Sequence, residues 1–486
     1  MSLNIIRFIA SNYINTKQMK KKLNSLLLVF TFIFSANQLI AQTKLASLFS
    51  DHMVLQRNNQ VAIFGFDKPN TKITITTTWG AKANATTNAE GKWKTTLTTT
   101  KEGGPYQIKV TGSTTVNVND ILLGEVWLCS GQSNMEMPVK GFRGQPVENS
   151  NQLILKSNNN QIRFFDVVNK ISKTPLDTCK GKWQLASVET TPNFSAVAYV
   201  FGKMLHENLN VPIGLVSSEW GGTVAQAWTE RETLKAGFPE IKLPEDSTKN
   251  VNQNTPTLLF NGMINPLVPF TFKGVIWYQG EGNRNNASQY QRLFPALINS
   301  WRAKFMQEAM PFYFVQIAPF SYNNQGNSAA LREAQLKTMQ TVKNTGMVST
   351  LDIGALNFIH PPKKIEVGER LALWALAKDY GFKGISYSGP VYKSMNVVGS
   401  KAVITFDYAE MGLSSFGQEL TDFEIAGADK KFYPAKATLP GGVLELTADE
   451  VPNPVAVRYG WKNYVKGTLF NTAGLPASSF RTDDWD

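Results

Sequence analysis

Histidine and cysteine are scarce in this sequence: its 486 residues include three of the first and two of the second. Two cysteines rule out a disulfide framework, although an oxidising compartment would permit one bridge. Cys129 and Cys179 therefore stay unassigned, with buried free thiols the favoured state. With only His52, His206 and His360, no HExxH and no CxxC, a zinc centre has poor support. Charged residues make up only 18%, and five of the twelve excess positive charges (Arg7, Lys17, Lys20, Lys21 and Lys22) lie in an N-terminal stretch that has no acid. No Lys/Arg run interleaved with aromatics remains, which argues against a nucleic-acid partner. After residue 41 nothing reaches the roughly 18 uninterrupted apolar residues of a membrane helix, so no membrane span is expected in the mature chain.

What is present points to a folded, turn-rich protein of several domains, with 42% hydrophobic residues, 36 glycines and 23 prolines. Lys20-Lys21-Lys22, the apolar run from Leu26 to Phe34 and the small residue Ala41 have the order of a secretory leader, with Met19 a better start than Met1. We therefore expect residues 1–41 to be a signal peptide and the protein to be exported, to the periplasm or beyond the cell.

Residues 42–119 read as a small β domain, with strand-like Val61–Phe66, Lys72–Thr76 and Gln107–Val110 between turn residues. The rhythm changes at about residue 120. Strand-like Ile121–Leu128, Ile213–Ser217, Gly274–Tyr278, Phe312–Ile317 and Met347–Ile353 alternate with helix-like Ser195–Asn208, Ala329–Thr341 and Val367–Leu376. Such alternation predicts an α/β region over 120–385, a parallel sheet covered on both faces, with ligand chemistry at the carboxyl ends of its strands. From 386 to 486 the β-like text returns, as in Ala402–Phe406, Val443–Thr447 and Val455–Tyr459.

Four segments follow predicted strand ends. Gly131-Gln132-Ser133-Asn134-Met135 places a serine where a helix begins, as an exposed nucleophile or as a cap. It is not the GxSxG elbow. Trp220-Gly221-Gly222-Thr223 allows a backbone N–H to approach a substrate oxygen, or is a plain turn. Trp277-Tyr278-Gln279-Gly280-Glu281-Gly282-Asn283 brings three polar side chains to the next strand end, and its broken GxGxxG excludes a dinucleotide site. His360, in Ile359-His360-Pro361-Pro362, is the histidine best placed to act as a base, since His52 lies in the first β region and His206 on a helix beside Glu207.

Together with Gly124-Glu125-Val126-Trp127-Leu128-Cys129-Ser130 before the serine, Val367-Gly368-Glu369-Arg370-Leu371-Ala372 after the histidine, and the flanking Leu48–Arg57 and Phe423–Ala428, these motifs resemble the sialate O-acetylesterase family of SGNH-type carbohydrate esterases. The resemblance covers nearly all of the mature chain. It implies an SGNH-type hydrolase domain flanked by smaller β domains, a carbohydrate O-acetylesterase that needs no cofactor, and an acetylated glycan or sialic acid as substrate. By the same resemblance Ser133 is the nucleophile and His360 its base. The oxyanion donors are the Ser133 N–H, the Gly222 N–H and a side-chain amide from Gln279 or Asn283. Family members often carry Asp two or three residues before the histidine, where this chain has Asn357 and Phe358. Asn357 itself, Asp352 at the preceding strand end, or a backbone carbonyl remain as candidates to orient the ring. The alternatives are an acetylxylan-type esterase and a weak or silent glycan-binding protein on the same scaffold.

Overall fold

The computed structural model describes residues 42–485. The expected leader lies outside the described residues. A three-stranded antiparallel sheet (Lys44–Leu45, Gln60–Phe66, Lys92–Thr98) opens the fold, beside the antiparallel strands Lys72–Thr77, Lys82–Thr86 and Gly103–Thr111. The next strand, β1 (Thr115–Gly131), is 17 residues long and belongs to two regions at once. Its first half pairs antiparallel with Gly103–Thr111, and its second half pairs parallel with strands of the central sheet. The division expected at residue 120 therefore falls inside a strand. Asp120, at φ 52°, marks the change in direction, and its flank changes from alternating exposure to complete burial.

The other central strands are β2 (Asn159–Asp166), β3 (Trp183–Ala186), β4 (Ile213–Glu219), β5 (Gly274–Tyr278), β6 (Phe312–Val315) and β7 (Thr345–Val348). They lie in the order β3-β2-β4-β1-β5-β6-β7, all parallel except β3. Successive side chains of a strand point to opposite faces. Accordingly, Trp127 and Cys129 of β1 join one core with Val197, Phe201 and Leu205 of α2 (Ala196–Leu209) and Val367, Leu371 and Trp374 of α5 (Lys364–Asp379). Val126 and Leu128 join the opposite core with Leu293, Phe294, Leu297 and Trp301 of α3 (Ala287–Phe305). Caps fix where helices begin: Ser195 accepts from the Ala198 N–H at 3.1 Å, and Asn327 does the same at α4 (Ser328–Thr341).

Beyond residue 390 two four-stranded sheets and a strand pair enclose a third core. Arg332 of α4, fully buried, anchors this region by donating to the Gly460 carbonyl at 2.8 Å and the Lys462 carbonyl at 2.6 Å. Cys129 is buried and free; Cys179 is free but only partly buried. Among the described residues no helix is long and apolar enough to cross a membrane.

Candidate active site

The carboxyl ends of β1, β4 and β5 meet at one edge of the sheet, where Gly131 is in register with both Glu219 and Tyr278. Gly131, at φ 141°, runs so close to β5 that a Cβ would lie 2.2 Å from the Tyr278 carbonyl oxygen. Only glycine allows this approach. The chain then turns into the short helix α1 (Ser133–Glu136), with Gln132, not Ser133, in the cap position.

Three polar side chains around Ser133 hold the neighbouring loops. Gln132 Oε1 accepts from the backbone N–H groups of Gly280 and Gly282, both at 3.3 Å. Asn134, fully buried, donates to Glu281 Oε1 at 2.6 Å and to the Ile359 carbonyl at 3.1 Å, and accepts from Lys364 Nζ at 2.5 Å. Glu136 Oε2 accepts from the Gly221 N–H at 2.7 Å. The turn bearing the serine is thus tied to the loops after β4 and β5 and to the histidine loop, and a Cβ built on Gly221 would sit 3.3 Å from the Ser133 Cβ.

His360 lies in the loop between β7 and α5. Its Nε2 is 2.7 Å from Ser133 Oγ, and its Nδ1 meets the side-chain oxygen of Gln145. An amide oxygen can only accept, so the proton resides on Nδ1 and Nε2 is free to accept from the serine hydroxyl. The Phe142 ring stands edge-on to the imidazole, with centroids 5.4 Å apart. Burial, and then the positive charge of Lys364, hold the His360 pKa down to about 4, so the ring is neutral at physiological pH.

The candidate orienting residues lie elsewhere. Asp352 makes a two-pronged ion pair with Arg370 of α5, at 2.8 and 2.7 Å. The planar guanidinium matches both carboxylate oxygens and keeps Asp352 off the imidazole. Asn357 is exposed in the loop closed by the Ala355–Phe358 bridge. Gln145, which the sequence reading missed, occupies the position instead. It sits in the loop 138–147, with Gly141 and Gly144 at positive φ, and its backbone is bridged to Phe142.

The candidate oxyanion donors also separate. Gly222 is exposed, at φ 69°, with open space where a Cβ would be. Gln279 is fully buried and donates to the Thr223 carbonyl at 3.1 Å and Asn283 Oδ1 at 2.7 Å, so both amide hydrogens are engaged inside the scaffold. Asn283 accepts from the Ala225 N–H at 2.9 Å and donates one hydrogen to Gln226 at 2.9 Å, which leaves its second hydrogen. The other two histidines are placed apart from this edge: His52 faces Asp120 and His206 faces the Val211 carbonyl.

A serine hydroxyl against a neutral imidazole, with backbone N–H groups nearby, can perform acyl transfer. Comparison with known proteins agrees with that chemistry. Residues 123–376 match the family described as carbohydrate esterase, sialic acid-specific acetylesterase. The sialate O-acetylesterase of Mus musculus is 31% identical over 90% of this chain and 94% of its own length, and that of Homo sapiens is 31% identical over 90% and 92%. The crystal structure of a carbohydrate acetylesterase from Xanthomonas citri superposes with a TM-score of 0.83 at 38% identity, covering 91% of this chain and all of the other.

Proposed function

Because the chain belongs to the sialic acid-specific acetylesterase family of carbohydrate esterases and is a carboxylic ester hydrolase, we propose that it is exported and removes O-acetyl groups from sialic acid or related glycans through an acyl-enzyme on Ser133. The observation that carries this reading is the 2.7 Å contact between Ser133 Oγ and His360 Nε2 at the carboxyl edge of the parallel sheet.

In the reaction, neutral His360 takes the serine proton as Oγ attacks the acetyl carbonyl. The oxyanion that forms is met by the backbone N–H groups of Ser133 and Gly222 and by the remaining Asn283 amide hydrogen. Each such donor is worth about 3 kcal/mol of barrier. The imidazolium then protonates the departing sugar oxygen. Water, deprotonated by the same ring, attacks the acetyl-serine and releases acetate. Gln145 holds the ring in the required tautomer but, being neutral, adds no charge to stabilise the imidazolium.

Hydrolysis of 4-nitrophenyl acetate by the wild type but not by Ser133→Ala supports the mechanism. Equal inertness of the two proteins, with retention of glycan on an affinity matrix, would instead identify a binding protein. Acetate release from acetylated sialic acid supports the proposed substrate, whereas release from acetylated xylan alone would assign an acetylxylan-type esterase.

A further inference from the structure

Lys364 is the first residue of the 16-residue helix α5 and is only 1% exposed. That is a costly place for a cation. The positive end of the helix dipole repels it, and burial removes its hydration. Among the described residues its hydrogen-bond acceptor is Asn134 Oδ1, with the Tyr278 ring 5.7 Å from Nζ. Across the same amide lies a buried carboxyl group, whose pKa burial raises. Glu281 is 4% exposed, accepts from Asn134 with Oε1, and has a buried Oε2 without a partner. The Asn134 amide is therefore aligned between the two groups, its oxygen toward the ammonium and its nitrogen toward the carboxyl oxygen. Its second hydrogen reaches the carbonyl of Ile359, the residue before His360, while Asn134 itself follows Ser133.

Resting on the Ser133–His360 reading above, we propose that Lys364 is a positioning residue of this esterase: its buried ammonium, bonded through Asn134 and offset by Glu281, locks the serine turn to the histidine loop and sets the field at the imidazole. Groups facing His360 are Ser133 of α1, Gln145 and Phe142 of the 138–147 loop, and Lys364 of α5. Groups facing Lys364 are Asn134 of α1, Glu281 of the loop after β5, and Tyr278 of β5. Glu136, the other acid of α1, is engaged by the Gly221 N–H. Burial lowers the Lys364 pKa to about 7 against the opposing pull of Glu281, so Lys364 is charged throughout the range where His360 titrates. A neighbouring cation makes the imidazolium a stronger acid, which favours its proton transfer to the departing sugar oxygen.

The chain has only three histidines, so an NMR titration of the imidazole Cε1 protons reads His360 directly. In Lys364→Gln, which can still donate to Asn134, the His360 midpoint should rise by about one pH unit, and the acid limb of kcat/KM on 4-nitrophenyl acetate should rise with it. Lys364→Met should show the same shift with a lower kcat, because the bond to Asn134 is also lost. Should the lysine variants fail to fold, Glu281→Gln keeps the acceptor for Asn134 and removes the carboxylate that holds Lys364 charged, so the alkaline limb of kcat/KM should move down. A folded lysine variant with an unmoved His360 midpoint, or a folded Glu281→Gln with an unmoved alkaline limb, overturns the proposal. If the wild type hydrolyses ester through Ser133 in the same assay, such a failure leaves the proposed mechanism intact; if Ser133→Ala is as active as wild type, the mechanism itself fails.

Discussion

On the serine side of the proposed pair, Gln132 and Asn134 hold the loop after β5 and Glu136 the loop after β4, and Gly131 closes against β5 where no side chain fits. On the histidine side, His360 rises from a loop whose tip, around Asn357 and Phe358, is exposed, and its Nδ1 rests on a neutral amide from another loop. The serine is held by a contiguous motif, the histidine by residues far apart in sequence. Substitutions on the serine side should therefore disturb geometry, and those on the histidine side should chiefly change proton affinity.

The largest effect should come from the pair itself. Ser133→Ala or His360→Ala should each lower kcat by roughly ten-thousand-fold or more, with the double variant no worse, because the two act as a unit. Steady-state hydrolysis of 4-nitrophenyl acetate checks this. Next, Gln145→Ala should lower kcat roughly tenfold or more with little change in KM, by releasing the ring tautomer. Gln145→Glu should raise the acid limb of the kcat/KM profile, since a carboxylate stabilises the imidazolium. Neither change is expected if the Gln145 contact is incidental.

Stability should also report the histidine side. His360 is held at about 4 in the folded chain against 6.5 for the free side chain, so between these values the unfolded chain binds a proton that the folded chain does not. Its contribution therefore falls as pH drops from 6.5 toward 4 and levels off below. In urea melts His360→Gln should flatten this part of the pH dependence. The smallest effect on chemistry should come from Asp352→Asn. It breaks the pair with Arg370, whose side chains are 15% and 11% exposed, and should cost about 2 to 4 kcal/mol of stability while leaving kcat per folded molecule unchanged.

These asymmetries explain what the sequence could and could not reveal. The alternation of strands and helices was legible because parallel strands buried on both faces, such as Gly274–Tyr278, read as continuous apolar runs. Ser133 and His360 could be picked out because histidine is scarce and both follow strand ends. Gln145 could not, because a neutral amide in an irregular loop has no charge, periodicity or spacing to mark it. Asp352 attracted attention as the nearest acid, but Arg370, 18 residues later, turns out to be its partner, and that pairing depends on how α5 packs. The division expected at residue 120 rested on a change of rhythm in the sequence, and in the structure a single strand, Thr115–Gly131, runs through that point.

Covalent trapping is the most direct check on the central claim. After incubation with an organophosphorus fluoride probe, peptide mass spectrometry should find one adduct, on Ser133, with labelling slowed sharply in His360→Ala. An adduct on another residue, or undiminished ester hydrolysis once Ser133 is fully labelled, would contradict the account.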